Sequence, residues 1–309
     1  MTVTKTPNLN IAITLSGMLR SWNKESYEHV VAFVNFLKDN GHQVDLYGHT
    51  WQESVTEPIL HSDTFKKILI TPQSKVIESM HNDFLLWHRS GEIDLNINSY
   101  SDYKDWINTV LDHSIKIYGQ VITTDAAFAI VPVDIYDIII RLRWDVILKN
   151  GINDTDSMNS FMQKIYEHYW QSFGENAKTN IDTAFFLADN ESSEHHYNGR
   201  STFKIKSDIA FVMSKKFHYE LYFKNSIDKI LHNNPSLRQY LGNLRREEEV
   251  NDYHGIWVPF FRNYLKNNNT NYMMAFCLPT IFMLSRHRKE YREVVKFKDF
   301  TIEKFSDKI

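Results

Sequence analysis

The sequence predicts an α/β protein in which a mixed, mostly parallel sheet is flanked by helices, with a helical C-terminal part. Three features predict it. A short apolar run, Asn10 to Ser16, ends in Ser-Gly as a buried strand opening into a loop does. A helix-periodic stretch and a second strand follow within about forty residues, the βαβ order that yields parallel pairing. In mid-chain, Tyr136 to Asp145 is an apolar strand that finishes in charge.

Taken in order, NIAITLS is the first strand. Val30, Phe33, Val34 and Leu37 then recur at helical spacing, and Gly41 stands where a helix C-cap glycine belongs. Gln43 to Gly48 is the second strand, which makes the opening Rossmann-like. Gln52 to Tyr118 is polar and aromatic, with Trp87 and Trp106, and reads as mixed helices; a stronger helix is expected over about Asp105 to Phe128, before Pro132. Further strands are expected at Asp182 to Ala188 and Asp208 to Ser214, separated by a loop-like polar segment, Asn190 to Arg200. The C-terminal third reads as helical: Pro235 leads Leu237, Tyr240, Leu241 and Leu244, and Tyr253, Ile256, Trp257, Phe260, Phe261 and Tyr264 mark a second amphipathic face. The expected division is an α/β core over 1–230 and a helical extension over 231–309.

Composition narrows the classes. The chain has 309 residues, 42% hydrophobic and 24% charged, a balance that suits a large buried core and excludes disordered and fibrous architectures. A single cysteine, Cys277, permits neither an internal disulfide nor a cysteine metal cluster and suits a reducing compartment. Met1 to Asn10 lacks the order of a signal peptide, and no window approaches the ~20 apolar residues of a membrane-spanning helix. A cytoplasmic protein is expected. The net charge of -3 argues against a basic coat over the whole surface.

Several chemistries lack their motifs. Gly17 stands alone after the first strand, so neither GxGxxG nor a P-loop is present; there is no HExxH and no GxSxG. His195-His196 sits in a polar stretch where adjacent imidazoles are usually solvated. What remains is the set of strand ends, where open α/β sheets bind ligands. Ser16-Gly17 with Arg20 offers a close backbone approach and a guanidinium, suited to a diphosphate or to a tight turn with a surface arginine. Arg141 and Arg143 share one strand face, Leu142 and Trp144 the other, and Asp145 falls at the exit. Two arginines on one side of a sheet need anionic partners, internal carboxylates or a bound phosphate. Asp145 is placed to hold a sugar hydroxyl or a divalent cation. His49 and Trp51, after the second strand, line the cleft or pack as aromatic core. Asp154-Thr155-Asp156 precedes a helix carrying Met158, Phe161, Met162 and Ile165 and reads as its N-cap. Glu247 to Glu249 is a solvated helix face or the source of a general base.

Ser16-Gly17-Met18-Leu19-Arg20, Tyr47-Gly48-His49-Thr50-Trp51, Tyr136 to Asp145 and Ser207-Asp208-Ile209-Ala210-Phe211, in that order and spacing, resemble a family of nucleotide-sugar-dependent glycosyltransferases with a GT-A-like fold, found in bacteria, phages and large viruses. The family's first motif is similar to SGQLR and its third to RxRxD. The resemblance implies transfer of one sugar from a nucleotide-diphosphate donor such as a UDP-sugar to a hydroxyl. It places Ser16, Gly17, Arg20, His49, Trp51, Arg141, Arg143 and Asp145 around the donor, and Asp208 near the transferred sugar. Asp208 or Glu248 is then the expected base. Asp145 takes the last position of a DxD motif and would be the ligand of Mn²⁺ or Mg²⁺, but Arg143 stands where the first aspartate belongs. A guanidinium there can offset diphosphate charge without a metal. The expected acceptor is 5-hydroxymethylcytosine in phage DNA, reached by basic residues such as Arg238, Arg245, Arg246, Arg286 and Arg288, or a surface or lipid-linked glycan; a non-catalytic glycan-binding module is the alternative.

Overall fold

The computed structural model describes residues 8–19, 22–55, 58–91, 119, 122–132, 134–173, 183–188, 192–197, 200–205, 210–218, 272–278 and 281–285. Strand β1 (Asn10–Ser16) is buried almost throughout. Helix α1 (Lys24–Asp39) follows, started by Asn23, whose side chain accepts from Ser26 N at 3.0 Å. It stops at a full Schellman closure: Gly41 N donates to Lys38 O, His42 N donates to Leu37 O, and Gly41 adopts φ +89°, a conformation glycine takes without strain. Strand β2 (Gln43–Trp51) runs three residues further than its sequence suggests, so His49 and Trp51 lie inside the strand. Its last five residues pair with β3 (Lys67–Thr71), which extends the ladder past Gly48.

The segment expected as mixed helices therefore contains a strand as well as helix α2 (Gln73–Arg89), whose first amides, Gln73 N and Ser74 N, donate to the Glu53 carboxylate at 2.8 and 3.0 Å. Of the helix expected before Pro132, residues 122–129 (α3) are helical, and 92–118 lie outside the described residues. Strand β4 (Ile138–Arg143) gives way at Trp144-Asp145 to β5 (Val146–Leu148). Helix α4 (Thr155–Phe173) is capped by Asp154, which accepts from Ser157 N at 3.1 Å, the capping role its sequence suggests.

Beyond α4 come β6 (Thr183–Ala188), the hairpin β7 (Ser192–Tyr197) and β8 (Arg200–Ile205), then β9 (Ala210–Ser214) and the single turn α5 (Lys215–His218). The hairpin corrects the loop expected there: a six-residue antiparallel ladder from Ser192↔Ile205 to Tyr197↔Arg200 absorbs the polar backbone. In the C-terminal third the described residues include two strands, β10 (Tyr272–Leu278) and β11 (Phe282–Leu284), in a stretch for which no individual element was expected. The two helices expected from Pro235 and Tyr253 lie outside the described residues.

The central sheet has the order β10-β6-β9-β4-β1-β2-β3. β1, β2, β3 and β4 are mutually parallel along the ladder, β10 is parallel to β6, and β9 runs against both its neighbours. This is the mixed, mostly parallel sheet that was expected. The chain leaves β1 to build β2 and β3 on one side and then returns to place β4 on the other. The carboxyl ends of β1 and β4 thus flank a topological switch point, where such sheets open a crevice.

The two faces differ. Ile11, Ile13, Leu15, Val44, Leu46, Ile138, Ile140 and Leu142 form one apolar core with α1 and α4. There Phe33, Phe161 and Phe282, from α1, α4 and β11, stand edge to face with centroids 5.2 to 5.9 Å apart. Truncating a buried phenylalanine of this kind costs about 3–5 kcal/mol. The opposite face carries Thr14, Ser16, Tyr47, His49, Arg141 and Phe211, and is covered in part by α3 and α5. No helix among the described residues is long and apolar enough to cross a membrane.

Candidate functional site

Period-two alternation decides which side chains share the face at the β1–β4 switch point. With Leu15 and Leu142 turned to the core, Ser16, Arg141 and Arg143 share the other face, and the register sets Ser16 beside Arg143 and Thr14 beside Arg141. Arg141 is buried, with 1% of its surface exposed. Its Nε donates to Ser16 Oγ at 2.8 Å, and its guanidinium carbon lies 5.6 Å from the centroid of Phe211 on β9. Ser16 Oγ also shares a 3.3 Å hydrogen bond with Thr124 of α3.

Two residues on, Arg143 closes a two-point ion pair with Asp145: Nε to Oδ1 at 2.8 Å and Nη2 to Oδ2 at 2.9 Å. The arginine side chain is 20% exposed and the aspartate side chain 9%. The turn that carries the pair is fastened on both sides. Trp144 Nε1 donates to His49 O at 2.8 Å, and the Asp145 carbonyl accepts from Ser285 N at 2.8 Å. Gly17 follows Ser16 at φ +117°, with open space where a Cβ would point.

Three of the four sequence segments come together here in adjacent strands. Tyr47 and Tyr136 hydroxyls meet at 2.7 Å. A Cβ on Gly48 would stand 2.8 Å from the Trp144 ring, which explains the glycine inside the YGHTW segment. Ser16 joins the first segment to the third through Arg141. In the fourth segment, Ala210 opens β9 opposite Leu142, so the chain enters β9 at the edge where the arginines stand.

His49 and Trp51 are buried, packed edge to face with ring centroids 5.3 Å apart. Trp51 at 2% exposure is a packing residue rather than an open stacking platform. His49 Nε2 pairs with Thr71 Oγ1 at 2.8 Å, while its Nδ1 and Thr14 Oγ1 have no hydrogen-bond partner among the described residues. Burial pushes the His49 imidazole down to about 4, so it is neutral at physiological pH. Arg20, Asp208 and Glu248 lie outside the described residues, as do the basic residues from Arg238 onward.

A divalent cation would need several hard oxygen ligands. At the β4 exit both Asp145 oxygens face the Arg143 guanidinium, and no group of three His, Cys, Asp or Glu side chains converges among the described residues.

No family model matches the chain, and no curated protein matches it. Among solved structures, mouse xyloside xylosyltransferase 1 in its apo form is similar. The match covers 87% of this chain and 85% of that chain, with a TM-score of 0.30 and 10% identity. At that level the similarity says nothing about donor or acceptor.

Sequence reasoning missed Thr124, Phe211, Thr71 and Thr14 as members of this face. Thr14 had a local signal, its place between Ile13 and Leu15 two residues before Ser16; the others depend on which elements become neighbours.

Proposed function

We propose that the chain is a glycosyltransferase that moves one sugar from a nucleotide-diphosphate sugar, a UDP-sugar in the simplest case, to a hydroxyl acceptor. One observation carries the proposal: Ser16-Gly17, Arg141 and the Arg143–Asp145 pair converge at the carboxyl ends of β1 and β4, on either side of the switch point. Guanidinium groups held at fixed positions suit a leaving diphosphate, whose charge grows as the glycosidic bond breaks. Gly17 leaves the backbone bare for a phosphate to approach. Asp208, two residues before β9, is the proposed base for the acceptor hydroxyl, with Glu248 as the second candidate. The proposed acceptor, 5-hydroxymethylcytosine in DNA, rests on the sequence resemblance, and so does the glycan alternative.

The test is thermal unfolding against a panel of UDP-, GDP- and CMP-sugars, because a ligand bound by the native state alone raises the midpoint. A shift with one nucleotide class, followed by transfer to a hydroxymethylated oligonucleotide or a glycan, is the expected result. No shift with any donor would sink the proposal. A shift without transfer or donor hydrolysis would identify a binding module instead.

A further inference from the structure

We propose that the Arg143–Asp145 pair takes the place of a divalent cation at the diphosphate, so that donor binding is independent of metal and Asp145 is a positioning residue for Arg143. The inference rests on the donor proposal above and goes further, naming how the site meets the phosphate charge.

The geometry argues it in four steps. Arg143 engages both carboxylate oxygens of Asp145, at 2.8 and 2.9 Å, through two different nitrogens, which fixes the plane as well as the position of the guanidinium. A dication on the same carboxylate would sit within a few ångströms of that fixed positive charge, an arrangement Coulomb repulsion opposes. The more exposed member of the pair is the arginine, 20% against 9%, so its side chain is the more accessible of the two. Finally, the turn is held by hydrogen bonds of the protein itself, from Trp144 Nε1 to His49 O and from Ser285 N to Asp145 O. A preorganised cation of this kind needs no reorganisation when phosphate charge develops. Arg141, two residues earlier on the same face, is buried with its guanidinium held by Ser16, so it adds positive potential to the site from behind and makes no direct contact with a ligand.

The test is calorimetric titration of the full chain with UDP and with inorganic pyrophosphate, first in EDTA and then in Mn²⁺. The expected result is binding in EDTA with a Kd that Mn²⁺ does not improve. Arg143→Gln should weaken that binding about tenfold or more, equivalent to about 1.4 kcal/mol. Mn²⁺ should then restore part of it, because the Asp145 carboxylate has been released. Asp145→Asn should weaken binding equally in EDTA and in Mn²⁺, whereas loss of a metal ligand would weaken it in Mn²⁺ alone. Wild-type binding that requires Mn²⁺ would overturn the inference and leave the donor proposal standing; absence of UDP binding under both conditions would overturn both. Unchanged Kd in Arg143→Gln with a lowered unfolding midpoint would make the pair purely structural. Should Arg143→Gln fail to fold, the wild-type comparison and Asp145→Asn decide the matter on their own.

Discussion

Arg141 and Ser16 are 125 residues apart in sequence and 2.8 Å apart in space, the Nε–H of one donating to the Oγ of the other across the β1–β4 junction. The contact satisfies one donor of a buried guanidinium and ties the first sequence segment to the third. Ser16→Ala removes the acceptor and leaves a charged donor buried, at an expected cost of about 1.5–3 kcal/mol. Urea unfolding should show a lower midpoint with an unchanged slope; a wild-type midpoint would mean that the contact contributes nothing.

Two buried histidines set a pH dependence. His49 and His218 are both pushed down to about 4, His49 by burial and His218 by burial against a smaller opposing effect of the Phe128 carbonyl. In the unfolded chain they titrate near 6.5, so between about 6.5 and 4 the unfolded state binds more protons than the native one. The native state is therefore favoured above about 6.5, and that advantage is lost as pH falls toward 4, at up to about 1.4 kcal/mol per pH unit for each group. His49→Gln should flatten the acid limb of a stability-against-pH curve; an unchanged limb would remove His49 from the account.

Gly48 and Trp144 fit together without room to spare. Gly48→Ala places a methyl 2.8 Å from the indole, and the resulting overpacking should cost about 1–3 kcal/mol. Thermal unfolding measures it directly. The variant is also informative because the indole anchors the turn bearing Arg143 and Asp145, so under the donor proposal nucleotide affinity should fall along with stability.

Gly17→Ala poses the opposite problem, since nothing lies within 4 Å of the added methyl but φ is +117°. Its cost is backbone strain alone, about 1–3 kcal/mol. Under the donor proposal the same methyl narrows the approach to the backbone, so UDP affinity should fall while an Asp154→Ala variant, which only uncaps α4 at a cost of about 1 kcal/mol, keeps it.

The parts of the fold that could be read in advance are those where a short stretch satisfies its own requirements. β1 is a short run buried almost throughout, α1 buries one face at helical spacing, and Gly41 and His42 close the helix with backbone bonds to Lys38 and Leu37. β4 announced itself because Arg141 and Arg143 alternate with Leu142 and Trp144. β3 did not, since it is the last strand at one edge of the sheet and its burial is too broken to show a period. β10 was a seven-residue, largely apolar run, YMMAFCL, beside segments read as helix, and its strand character comes from pairing with β6. In the site, residue types were legible and partners were not. That Arg143 would grip Asp145 follows from proximity in the chain, whereas the meetings of Arg141 with Phe211 and of Ser16 with Thr124 depend on register and on helix placement, which no local pattern encodes.

The order of the strands across the sheet is also an order in time. A growing chain can align β3, β2 and β1 once residue 71 has emerged, but β4 must join from the other side some seventy residues later in synthesis. Until then the Ser16 edge of β1 stands uncovered, with its amides and carbonyls available to any passing strand. The seam along which Arg141 later meets Ser16 is therefore the last edge of β1 to be covered as the chain is made.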